Sequence, residues 1–177
     1  MTDHSGAELG PLAAALIAST SPNLERETEE ALGAAVVEIA TVHAREYLER
    51  DGDELYLAMA RIIGRQVPGV DTALVAWLGR NPSRARLGVA SNALWYLWSY
   101  SGWRSLLEPN VVRDLLRAGR LVPIGWTEIG PYRTALSAAA KLVTDEDVLA
   151  IITQEIAGLS DETMVPEVLV DLAPDTT

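Results

Sequence analysis

DTALVAWLGRNPSRARLGVASNALWYLWSY, residues Asp71–Tyr100, is the stretch that decides the fold. With Val70 before it, its first third sets Ala73, Leu74, Trp77 and Leu78 at three- and four-residue steps, the stripe of one helix. Gly79-Arg80-Asn81-Pro82-Ser83 breaks the pattern, because glycine and proline both disfavour a helix interior. Asn81-Pro82 restarts it, and Leu87, Leu94, Trp95, Leu97 and Trp98 carry a second helix towards Tyr100, where Ser101-Gly102 ends it. Two helices joined by so short a turn fold back on each other as an antiparallel pair.

The same grammar extends in both directions. Towards the C-terminus, Pro109 opens a helix through Val111, Val112, Leu115 and Leu116 that stops at Gly119. Gly130-Pro131 opens a longer one through Tyr132, Ala135, Leu136, Ala139, Leu142 and Val143. Residues 119–130, with three glycines and Pro123, read as a loop with at most a short extended piece. Thr144 then caps Asp145-Glu146-Asp147, ahead of Val148, Ile151, Ile152, Ile156 and Leu159 at helical spacing. Pro166 begins either a short helix or an acidic tail.

Towards the N-terminus, Ser5 and Glu8 have capping-box spacing, and Gly10-Pro11 offers a competing start for a helix with Leu9, Leu12, Leu16 and Ile17 on one face. Ser21-Pro22 starts the next, whose seam Leu32, Val36, Ile39, His43, Tyr47 runs to about Arg50. Asp51-Gly52-Asp53 ends it. Asp53 caps a helix burying Leu55, Ala58, Met59, Ile62 and Ile63. Val67-Pro68-Gly69 breaks that one, and Asp71 caps the helix after it.

Period-two alternation is nowhere sustained, so the expected class is all-α: one domain over residues 1–177, about seven to nine helices in antiparallel pairs, with flexible ends at 1–9 and 166–177. Asp71–Tyr100 and Pro109–Val143 echo each other loosely. At the level of pattern, this echo resembles the stacked pairs of a HEAT-type helical array. An irregular helical bundle is the alternative, and the two differ in whether a concave face exists.

Charge is sorted along the chain. Residues 1–60 carry 12 acidic and three basic side chains, residues 61–141 four acidic and 11 basic, and residues 142–177 nine acidic and none basic. All five tryptophans fall in the basic block. Such segregation sets partner choice and encounter rate. The net charge of −11 argues against whole-surface binding to nucleic acid, since carboxylates repel phosphate. No apolar run approaches the roughly 18–20 residues needed to span a bilayer, and no basic leader precedes the first apolar stretch, so the expected location is cytoplasmic, away from membranes.

Chemistry-bearing motifs are sparse. The chain has no Cys, which excludes thiol catalysis and disulfides. With two histidines, a zinc site would have to be built mostly from carboxylates, which zinc does not favour. Glu27 and Glu30 lack the Glu-x-x-His partners of a di-metal bundle and read as a solvated helix start. Asp51-Gly52-Asp53-Glu54 lacks the remaining ligands of a calcium loop. No nucleophile elbow, phosphate loop or dinucleotide fingerprint occurs, so no cofactor is expected. His43, with Glu46 three residues on, is the one candidate acid–base pair, but it falls on an apolar seam and reads as structural. Lys141 is the only lysine and sits at a helix end, where a cation is ordinarily favourable.

Two features remain. Arg80, Arg84 and Arg86 run into a helix N-terminus and could bind an anion. Tyr100, Trp103 and Arg104 have the composition of an interface hot spot. The leading expectation is a non-catalytic interaction protein (adaptor, inhibitor or assembly component) that meets a protein partner or a second copy of itself. Second comes a module for anionic ligands or nucleic acid, using the Arg- and Trp-rich middle with Arg113, Arg117 and Arg120. A small helical enzyme working through His43 comes third.

Overall fold

The computed structural model describes residues 9–18, 27–47 and 53–159. Among them the chain forms eight α-helices and no strand: α1 (Pro11–Ala18), α2 (Glu29–Arg45), α3 (Asp53–Arg65), α4 (Val70–Arg80), α5 (Arg84–Trp98), α6 (Pro109–Arg120), α7 (Trp126–Leu142) and α8 (Glu146–Gly158). A 3₁₀ turn, Ser101–Ser105, follows α5. The fold is therefore all-α. The expected starts at Ser5 and Ser21, the stop at Asp51-Gly52 and the segment from Pro166 lie outside the described residues.

The helix ends follow from local chemistry. Thr28 caps α2 by accepting from the Ala31 N–H at 3.1 Å, and Ser83 caps α5 by accepting from Arg86 N–H at 3.1 Å. Asp145, and not Thr144 as the sequence suggests, caps α8 by accepting from the Val148 N–H at 3.0 Å. The first residue of α6 is Pro109, whose missing N–H costs nothing there.

Three further expectations are corrected. Helix α2 closes at Arg45, with Glu46 as its C-cap, not near Arg50. The cap of α4 is Gly69, held at φ +83°, a left-handed conformation open to glycine; Asp71 lies inside the first turn and uses its carboxylate elsewhere. The loop expected over 119–130 ends at Gly125. Helix α7 begins at Trp126 because the Glu128 side chain turns back to accept from the Gly125 N–H at 3.1 Å, the return half of a capping box. Pro131 is the sixth residue of this helix, inside it, and removes the N–H that would otherwise donate to the carbonyl four residues back.

The helices pack in alternation. Helix α2 lies on α4, α4 on α6 and α6 on α8, while α3 lies on α5 and α5 on α7. Sequence neighbours pair as well: α2 with α3, α4 with α5, α7 with α8. Helices α5 and α7 share the largest interface and run parallel: Arg84 meets Glu128 at their starts, and Trp98 lies beside Leu142 at their ends. One contiguous apolar core reaches from Ala13 in α1 to Ile152 in α8, and α5, buried almost all round, is its centre. None of the described helices is long and apolar enough to cross a membrane.

Candidate functional site

Asp71 organises the end of α5. Its carboxylate is buried, and Oδ2 accepts the indole N–H of Trp98 at 3.1 Å and of Trp103 at 3.0 Å, while Oδ1 accepts Thr72 N–H at 2.9 Å. A buried acceptor saturated in this way fixes both indoles. The segment between them is consequently pinned at two points. Tyr100 within it is 46% exposed and Arg104 just after it faces outward, while Trp103 is sealed at 0%. Of the expected Tyr100, Trp103 and Arg104 cluster, the indole is thus a core anchor, and only the phenol and the guanidinium face solvent.

Arg104 stands at the mouth of a cleft of about 500 Å³ lined by Trp98, Ser99, Arg104, Ala138, Lys141 and Leu142. Arg104 Nη2 donates to the Lys141 carbonyl at 2.9 Å, which ties the 3₁₀ turn to the last turn of α7. Both cations lie at helix C-termini, where unsatisfied carbonyls hold positive charge. Trp95 is four residues before Ser99 on the same row of α5 and is 38% exposed, with its ring edge-on to Tyr96 at 6.4 Å. Tyr96 in turn lies 5.6 Å from Tyr56. The end of α5 therefore carries exposed rings, Trp95 and Tyr100, and the cleft at the same end of the helix carries Arg104 and Lys141.

The other arginines of the middle block are employed differently. Arg84 and Arg86 are each only 6% exposed. Arg84 meets the fully buried Glu128, with Nε and Nη2 at 2.8 and 2.7 Å from Oε2, while Tyr47 donates its hydroxyl to Oε1. Gly88 makes room for Tyr47: a Cβ there would stand 2.6 Å from the phenol oxygen. Arg86 donates to the Trp77 carbonyl at 2.9 Å and lies 4.9 Å over the Trp77 ring. The exposed anion edge expected from Arg80, Arg84 and Arg86 is therefore not assembled, because only Arg80 reaches the surface. The physical reason is a buried carboxylate 44 residues further on, which draws Arg84 inward.

Nor do Arg113, Arg117 and Arg120 join such an edge. Arg113 is 3.7 Å from Asp145, Arg117 is 2.8 Å from Asp114, and Arg120 is 3.1 Å from Glu155. The acidic α8 thus neutralises part of the basic block. Among the described residues, no carboxylate lies within ion-pair distance of Arg104, Arg133 or Lys141. His43 is buried with Nε2 3.5 Å from Oε2 of Glu54, a carboxylate of α3.

A second, smaller hollow of about 280 Å³ lies between the α6–α7 connection and the end of α8, lined by Val122, Ile124, Ile129, Glu155 and Leu159 among others. Next to it, the hydroxyl of buried Tyr132 is 3.4 Å from Glu155 Oε1. Burial first, and then the Glu155 charge, push the Tyr132 hydroxyl well above the ordinary tyrosine range, against the pull of Arg120. No family model, curated protein or solved structure matches this chain, so the site is read from its own geometry.

Proposed function

We propose that this chain is a protein–protein interaction module whose contact surface is the shared end of α5 and α7: the cleft lined by Trp98, Ser99, Arg104 and Lys141, together with Trp95 and Tyr100, which are exposed at the same end of α5. The partner it takes there is an acidic segment of another protein. The observation that supports this is the Asp71 anchor. It holds Trp98 and Trp103 inside so that Tyr100 and Arg104 stand outside in fixed positions, and a rigid aromatic beside an arginine loses little entropy on binding. A guanidinium fork and an ammonium in one cleft suit carboxylates. Burial of Arg84, Arg86, Trp98 and Trp103 takes away the stacking set that a single-stranded nucleic acid would need.

The test is affinity capture with the full chain as bait in three forms: native, Arg104→Glu and Arg80→Glu. The last makes the same change of charge at the opposite end of α5. Proteins retained by the native and Arg80→Glu baits and lost from Arg104→Glu are the expected result. Equal retention by all three would refute the assignment of the surface.

A further inference from the structure

We infer that residues 160–177 of this same chain fill the Arg104–Lys141 cleft when no partner does, so that the chain carries a competitor for its own contact surface. This rests on that surface being where acidic segments bind. Residues 160–177 contain Asp161, Glu162, Glu167, Asp171 and Asp175 and not one Lys or Arg. The cleft has the complementary composition, and its cations have no carboxylate partner among the described residues.

Geometry favours the same pairing. The described chain ends at Leu159, whose carbonyl accepts from Arg133 Nη2 of α7 at 2.6 Å. Arg133, Ser137 and Lys141 form one row along α7 at four-residue steps. Eight residues of helix are about 12 Å, and an extended chain covers about 3.3 Å per residue. About four to six residues beyond Leu159, residues 163–165, are therefore enough to span from Arg133 to the cleft; Asp161 and Glu162 fall within that length and Glu167 two residues past it. Met164 and Val165 lie within the same reach of the cleft, whose apolar lining is Trp98, Ala138 and Leu142. The smaller hollow beside Leu159 is the nearer site, but its arginine, Arg120, is already paired with Glu155.

The sequence supplies an unusually clean test. Lys141 is the only lysine, so a zero-length carbodiimide cross-link from an internal amine can form at Lys141 alone. The full chain is treated with the carbodiimide as a mixture of unlabelled and ¹⁵N-labelled protein, and cross-linked peptides are identified by mass spectrometry. The expected product joins Lys141 to Asp161, Glu162 or Glu167 within one molecule. Its yield falls by about tenfold in 0.5 M salt and in Arg104→Gln. Cross-links from Lys141 only to Asp145 or Glu146, only between isotopically different copies, or with a yield indifferent to salt and to Arg104→Gln would each overturn the inference. The two readings fail separately. If Arg104→Glu loses captured proteins while Lys141 never joins residues 160–177, the contact surface stands without its competitor. If the cross-link forms but capture does not depend on Arg104, the segment is a packed part of the fold and competes with nothing.

Discussion

Trp103 donates its indole N–H to Oδ2 of Asp71, 32 positions earlier in the chain, at 3.0 Å and out of contact with water. Trp98 shares the same oxygen. This pair of bonds couples the core to the proposed surface, because Tyr100 lies between the two indoles and Arg104 directly follows the second. Asp71→Ala leaves two buried N–H groups without an acceptor, and an unsatisfied buried donor costs about 1–3 kcal/mol. A loss of about 2–4 kcal/mol in urea unfolding is expected, with a smaller loss for Asp71→Asn, which keeps one oxygen. A neutral Asp71→Ala would show that the anchor holds nothing.

The Arg84–Glu128 pair lies deeper still. Removing one partner strands the other in the interior, and breaking a buried pair typically costs about 3–5 kcal/mol. Glu128→Ala should show a loss of this size by chemical denaturation. Arg84→Met combined with Glu128→Leu should recover most of it, since no charge then stays buried. Additive single and double variants would contradict the pairing.

Tyr47 reaches Glu128 only because residue 88 has no side chain. Gly88→Ala should destabilise the native protein by about 1–3 kcal/mol through overpacking. The same substitution in a Tyr47→Ala background should cost far less, as the phenol it strikes is gone. Thermal melts of the four chains measure this coupling directly.

Tyr132 makes stability fall at high pH. Its hydroxyl keeps its proton in the folded state above the pH at which an unfolded tyrosine, near 10, releases it. The contribution is complete below about pH 10 and is lost as the pH rises beyond it. The urea midpoint of the native chain should therefore drop between about pH 9 and 11, and that of Tyr132→Phe should drop less. Parallel curves would remove Tyr132 from the alkaline transition.

Most of the fold was legible because its breaks are written in residues with few conformations. Val67-Pro68-Gly69, Asn81-Pro82, Ser101-Gly102 and Pro109 each fall at an observed helix boundary. The misread start of α7 had a visible cue, Glu128 three residues after Gly125, but the glycines around it masked a capping box. The site was less legible. Periodicity places Arg84, Arg86 and Trp103 on helices or turns, yet what turns them inward is Glu128, the Trp77 backbone and Asp71, and only packing brings those together. Likewise, the charge blocks were real in sequence, but Arg113 and Arg120 are matched by carboxylates of α8 and do not form a continuous basic face.

The central claim is that the Tyr100–Arg104 end of α5 is touched by another protein. A photoactivatable phenylalanine analogue placed at Tyr100, and separately at the exposed Leu121 near the opposite end of α7, tests it in the intact chain under native conditions. Light should yield a discrete adduct with a second protein from position 100, lost on Arg104→Glu, and none from position 121. Adducts from position 121 alone, or equally from both, would contradict it.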